Sequence, residues 1–292
     1  MSTRAQRARS QAIRLDLVSR GKAEMQQAEQ ERVDMCRRLV GEVAIVTGGS
    51  QGIGQAIAER LAAEGAAVAI LARTTKNVQA VTDGLTARGA DALGLTCDVS
   101  DRAQVRAAVE AVVSRFGKVT ILINNAGIVR HASFLEISDE MWDELLRINL
   151  TGMFIVAQEV ARSMVQLGVP GRIVNHSSVA GRIAHSDQTV YGITKAGIES
   201  MTRTMAVDLA PHGIIVNAVA PGTIQTSFSV GNLSTEAVAE RVRRIPLSRL
   251  GKPEEVASVM AMLASPDASY LTGVTIPIDG GLTIGGVRVV AK

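Results

Sequence analysis

Cysteine and aromatic residues are scarce in this chain: there are two cysteines, Cys36 and Cys97, and only 2% Phe, Trp and Tyr among 292 residues. Two thiols cannot build a disulfide framework, and with no CxxC or HExxH the sequence offers no metal site. Long apolar runs are missing as well. None approaches the ~18 residues that a membrane span requires, so neither a membrane helix nor a secretory signal is expected. A composition of 47% hydrophobic and 20% charged residues further excludes a disordered chain or a collagen-like fibre. Gly, Ala, Val and Ile dominate what remains, a mix suited to buried parallel strands under close-packed helices.

An excess of one charge is also lacking in the body of the chain. Residues 1–40 hold nine of the 31 basic residues and five of the 28 acidic ones, which leaves 22 basic against 23 acidic for the rest. A nucleic-acid surface needs its basic excess on the folded body, so no nucleic-acid partner is expected. Arg4, Arg7, Arg9 and Arg14 occur before any acid. Either a transit peptide or a solvated, partly helical tail would show that pattern. We expect a basic extension over 1–40, partly helical or disordered, then one folded domain over 41–292, in the cytoplasm.

From residue 42 onward, short apolar runs alternate with longer helix-period segments. The runs stand at 43–47, 68–71, 92–97, 119–123, 172–177, 214–219 and 274–278. Between them, spacings such as Ile53, Ala56, Ile57 and Leu61, or Val105, Ala108, Val109 and Val112, mark amphipathic helices. Strand and helix alternating this often, with no break in composition, predict an α/β fold: one doubly wound Rossmann domain with a seven-stranded parallel sheet and helices on both faces.

Directly after the first run stands Thr47-Gly48-Gly49-Ser50-Gln51-Gly52-Ile53-Gly54, and a helical pattern begins at once. Glycines there let the backbone approach a pyrophosphate, whose charge the following helix N-terminus meets. Gly48, Ser50, Gln51, Gly52 and Ile53 are therefore candidates for binding a dinucleotide; a Gly-rich turn without ligand is the alternative. At the end of the second run, where a carboxylate would accept bonds from a ribose 2′-hydroxyl, stand Ala72 and Arg73. A guanidinium with no acid beside it favours the 2′-phosphate of NADP over NAD, unless Arg73 is an ordinary surface arginine. Asp98, before Val99 and after the third run, could hydrogen-bond adenine or cap the next helix in competition with Ser100.

Tyr191 and Lys195 lie four apart in a helix expected over about 188–210, and ~400° of rotation puts both on one face. A phenol is a poor base at its ordinary value of about 10, and a nearby ammonium would favour the phenolate. Ser178 follows the fifth run, at the sheet edge where open α/β folds gather ligands; it could polarise a carbonyl or simply belong to a turn. The helix expected over about 137–167 is interrupted by Asn149, Thr151 and Gly152. Such a weakness predicts a kink that turns Asn149 inward, or else a tolerated polar position on the solvent side.

Taken in order and spacing, Thr47-Gly48-x-x-x-Gly52-x-Gly54, Asn124-Asn125-Ala126-Gly127, Asn149, Ser178, Tyr191-x-x-x-Lys195 and Pro221-Gly222 resemble the short-chain dehydrogenase/reductase family over about 41–282. The resemblance implies a nicotinamide-dependent oxidoreductase that interconverts a secondary alcohol and its ketone. In it Tyr191 is the general acid/base, Lys195 lowers its pKa and binds the nicotinamide ribose, Ser178 orients the carbonyl, and Asn149 holds a water in the proton relay. It also implies that Asn125, Ala126 and Gly127 floor the cofactor site, joined by Asp98, Val99 and the segment 221–226, with Pro221, Gly222, Ile224 and Thr226. Many NADP-using relatives carry Lys or Arg where this chain has Gln51, which leaves the 2′-phosphate to Arg73 and keeps NAD possible. Self-association through the helices at 137–167 and 188–210, as a homotetramer, is the family expectation.

Residues 244–257 resemble both 3-oxoacyl-acyl-carrier-protein reductases and sugar 1-dehydrogenases, and a dinucleotide-binding sensor without catalysis is the reading from another class. Specificity falls to the loops 128–134, 179–188 and 227–246. His131, His185, Ser186, Asp187 and Gln188 make a polar rim, whereas Ile183, Phe228 and Val230 could line an acyl groove.

Overall fold

The computed structural model describes residues 37–231 and 234–285. The expected extension over 1–40 lies almost wholly outside them. Seven strands form one parallel sheet: β1 (Val43–Thr47), β2 (Ala67–Ala72), β3 (Ala92–Thr96), β4 (Ile121–Asn124), β5 (Gly171–His176), β6 (Ile214–Pro221) and β7 (Thr275–Ile278). Their order is β3-β2-β1-β4-β5-β6-β7, with every pair parallel. The chain therefore winds outward from β1 in one direction and from β4 in the other. A crevice opens between their carboxyl ends, where ligands of open α/β sheets bind.

Strand periodicity divides the core between two faces. Ala44, Val46, Val68, Ile70, Ile121 and Ile123 pack with α1 (Gly52–Ala63), α2 (Thr75–Ala87) and a later helix, Pro253–Leu263. Val43, Ile45, Ala69, Leu71 and Leu122 pack on the other face with α3 (Arg102–Phe116) and the helix Gly152–Leu167. Leu39, ahead of β1, is fully buried in the first of these clusters, and the compact unit begins there. Among the described residues no helix is long and apolar enough to cross a membrane.

Local chemistry sets the helix ends. The Asp101 carboxylate accepts from the backbone N–H of Ala103 and Gln104 and starts α3, while Gly117, at φ +80°, ends it. Asp98 is therefore not the cap; its carboxylate instead accepts from Ser100, through both N–H and hydroxyl. The single helix expected over 137–167 is three pieces: α4 (Asp139–Leu145), a π-helical turn (Leu146–Thr151) and α5 (Gly152–Leu167). The poor helix formers mark the widened turn, which rotates Asn149 into the interior, 0% exposed. Thereafter come α6 (Thr189–Leu209), α7 (Ser227–Val230), α8 (Thr235–Arg243) and α9 (Pro253–Leu263).

Candidate active site

Thr47 closes β1 and ties the phosphate loop to the strand next door. Its hydroxyl accepts from the N–H of Asn125 at 2.9 Å and of Ala126 at 3.0 Å. Asn125 returns the contact, donating its amide to the Thr47 carbonyl at 2.9 Å. Gly48 sits at φ +65°, and a Cβ on Gly54 would collide with the Gly48 carbonyl. Only glycine fits where the first turn of α1 crosses under the loop. Gln51 precedes α1 without a side-chain cap, and among the described residues no side chain caps the first turn of this helix, whose N-terminus lines the crevice.

All the cofactor candidates named above, together with Ser178, Tyr191 and Lys195, line one cleft of about 1580 Å³. Asn149 does not. It lies behind the wall, its side chain accepting from the Ile128 N–H and donating to the Ile128 carbonyl, both at 2.8 Å. A Cβ on Gly127 would stand 3.2 Å from Asn149 Oδ1 and 3.9 Å from Lys195 Nζ, so the three residues converge on one point. Arg73 is exposed at the end of β2 and meets no carboxylate among the described residues. Burial raises Asp98, but its Ser100 bonds and the charges of Arg73 and Arg147 bring it below the usual range.

Helix α6 presents Tyr191 and Lys195 one turn apart. Lys195 Nζ donates to the His176 carbonyl at 2.7 Å and stands 5.5 Å from the Tyr191 ring centroid. Ser178, just past β5, accepts from the Ala180 N–H at 3.2 Å. Burial pushes the Tyr191 phenol up to about 12, against the pull of its hydrogen bond with Ser178. Loss of water pushes Lys195, 3% exposed, down to about 7. The downward shift expected for the phenol is thus reversed. The ammonium points to a carbonyl rather than to the phenol oxygen, and two desolvated groups each favour their neutral form.

His176, two residues before Ser178, is not among the candidates that the sequence offers. Its neighbours lie across the sheet, since the β4–β5 register pairs Asn124 with Asn175. His176 Nδ1 meets Asn125 Oδ1 at 2.6 Å, and burial followed by the Lys195 charge pushes the imidazole down to about 3. A neutral ring therefore braces Asn125 while the same residue's carbonyl holds Lys195. Parallel register was the signal that could have found it.

Of the residues expected at the rim and groove, His131, His185, Ser186, Asp187, Gln188 and Ile183 line the cleft. Phe228 and Val230 lie outside the described side chains.

A profile of the family described as enoyl-(acyl carrier protein) reductase matches residues 48–283. The 3-oxoacyl-[acyl-carrier-protein] reductase FabG of Thermotoga maritima is 42% identical over 252 residues, 85% of this chain and 100% of that protein. The short-chain reductase protein NovJ of Streptomyces niveus is 41% identical over 245 residues, 82% of this chain and 93% of its own. The crystal structure of a short-chain type dehydrogenase/reductase from Mycobacterium marinum superposes with a TM-score of 0.82 at 38% identity, covering 86% of this chain and 98% of that one. With a shared fold, sequence similarity over four-fifths of its length and this cleft, the chain belongs to the short-chain dehydrogenase/reductase family and is an oxidoreductase that uses a nicotinamide cofactor.

Proposed function

We propose that the chain is an NADP(H)-dependent oxidoreductase that interconverts a secondary alcohol and its ketone, foremost as a 3-oxoacyl reductase. The observation that carries this reading is the meeting of Ser178, Tyr191 and Lys195 at the wall of the cleft, with a hydroxyl bonded to the phenol and the ammonium one helical turn away. The crevice fits a dinucleotide: α1 lacks a side-chain cap, glycines clear the approach, and Arg73, at the end of β2, lines the cleft with no carboxylate partner among the described residues, which supports a 2′-phosphate. The nicotinamide, when bound, supplies or accepts the hydride.

The chain's own residues handle the proton and the substrate oxygen. Ser178 donates to the carbonyl and Tyr191 gives or takes the proton at its Oη. Lys195, near 7, can hold positive charge at neutral pH and shift the phenol downward once its ammonium turns from the His176 carbonyl. Asn149 fixes the Ile128 backbone beside Gly127 and Lys195, where the relay water is proposed to sit. Exposed Trp142, Phe154, Ile193 and Val207 on α4, α5 and α6 support assembly as a homotetramer, and we place the enzyme in the cytoplasm.

A second reading, a sugar 1-dehydrogenase, is favoured by the polar rim of His131, His185, Ser186, Asp187 and Gln188. A panel of acetoacetyl thioesters, cyclic ketones and aldoses, followed by the absorbance of reduced nicotinamide with both cofactors, separates the two. Thioester reduction with NADPH is expected; turnover confined to aldoses would overturn the first reading in favour of the second.

A further inference from the structure

We propose that the substrate carries an anionic group, a carboxylate or a phosphate, bound by Arg241, Arg243 and Arg244 at the end of α8, where they line the cleft. This inference rests on reading the chain as a ketone reductase and adds the chemical class of its substrate.

Charge pairing among the described residues is the starting point. Nine arginines meet a carboxylate within 4 Å. Five arginines line the cleft, and four of them are outside that set, Arg130 with its Glu144 partner being the exception. Arg73 is one of the four, at the end of β2. The other three stand together at the end of α8. Arg241 Nη1 donates to the Ser229 carbonyl at 3.2 Å, which steadies its head, while Arg243 and Arg244 are exposed and make no ion pair among the described residues. Only two acids line the cleft. Asp98 lies near Arg73 and is engaged by Ser100, which leaves Asp187 as the other carboxylate lining the cleft among the described residues.

The cluster lines the same cleft as the reacting groups. His185, on the loop between Ser178 and Tyr191, is held below its ordinary value by burial and then by the charges of Arg244 and Arg241, which places those guanidinium groups near the rim. Cations on the last turn of a helix are favoured by its dipole. On a convex surface that would suffice as an explanation. Inside a concave cleft the same charges focus the field on whatever enters, and a guanidinium fork matches a carboxylate or phosphate in two-point contact.

The test is equilibrium dialysis of the full-length enzyme with two matched pairs of ketones. Acetoacetyl-coenzyme A against acetoacetyl-N-acetylcysteamine reads phosphate; acetoacetate against methyl acetoacetate reads carboxylate. In at least one pair the anion is expected to bind about tenfold tighter at low salt. That ratio should shrink in high salt and fall toward one in Arg243→Ala/Arg244→Ala. A ratio near one in both pairs, or one that survives the double substitution, overturns the proposal. So does a double variant that loses NADPH affinity while the ratio stands, since the arginines would then serve the cofactor. Binding is read without turnover, so an anion preference in an enzyme that reduces none of these ketones would keep the anion site and remove the reductase reading.

Discussion

Around the glycine-rich loop the main chain carries the geometry of the cleft, whereas along α8 exposed side chains carry it. Thr47 Oγ1 accepts from two backbone N–H groups, Asn125 answers to the Thr47 carbonyl, and Gly54 passes under Gly48 with no room for a Cβ. By contrast, α8 buries none of its residues and presents arginines to the cleft. A site made of backbone admits few residue types, because most would change the path of the chain. A site made of exposed side chains can change its ligand at little cost to the fold. Tyr191 and Lys195 lie where the two meet, on a helix that belongs to the core on one side and to the cleft on the other.

The comparison breaks first at that meeting line. Tyr191→Phe removes the proposed acid/base and is expected to lower kcat by orders of magnitude, with cofactor binding almost unchanged. Steady-state kinetics and a cofactor titration check it. Retention of more than about a tenth of kcat would move the chemistry elsewhere.

Lys195 gives the next largest effect, in stability rather than rate. Its native value of about 7 lies below the ordinary 10.5, so the unfolded chain binds more protons between those two values. The native state then gains stability from this group as pH rises through that window, and below about 7 it carries the whole cost of charging a buried ammonium, on the order of 5 kcal/mol. Lys195→Met removes that cost but leaves the His176 carbonyl without its donor, a loss of about 1–3 kcal/mol. The variant should be inactive and yet melt several degrees higher at pH 6, the gap closing toward pH 10. Calorimetry across pH decides; a variant that melts lower at pH 6 would mean that Lys195 stabilises the fold.

Thr47→Val sharpens the backbone side. It leaves the Asn125 and Ala126 N–H groups without their acceptor, at about 1–3 kcal/mol. Cofactor affinity and Tm should fall together, since one hydroxyl supports both; a fall in Tm alone would separate the floor from the cofactor site. Arg73→Ala is the gentlest change. Losing one charge-assisted contact should cost roughly 1.5–3 kcal/mol, or about one to two decades in NADPH affinity, with NADH hardly affected. Equal effects on both cofactors would make Arg73 a surface residue.

Much of this was legible because its causes are local. The seven apolar runs became seven strands within two residues at either end, and the helix expected over 188–210 is Thr189–Leu209. Asn149 was visible as a weakness in a helical stripe, and it sits in the π turn that such a weakness permits. Of the two roles open to Asp98 the cap falls away, because Asp101 stands three residues further on and accepts from the N–H groups of Ala103 and Gln104. His176 was passed over because its partners come from another strand and another helix.

Periodicity, the glycine spacing and the Tyr191–Lys195 interval determined the fold class, the phosphate loop and one face of α6, since each acts within a turn or a strand. Only the tertiary structure decided the electrostatics. Whether Lys195 lies near 7, whether His176 is neutral, and which arginines lack a carboxylate depend on water excluded and charges brought close by elements far apart in the chain. Desolvation and Coulomb energy are set by distance in space, and no interval along the sequence encodes them.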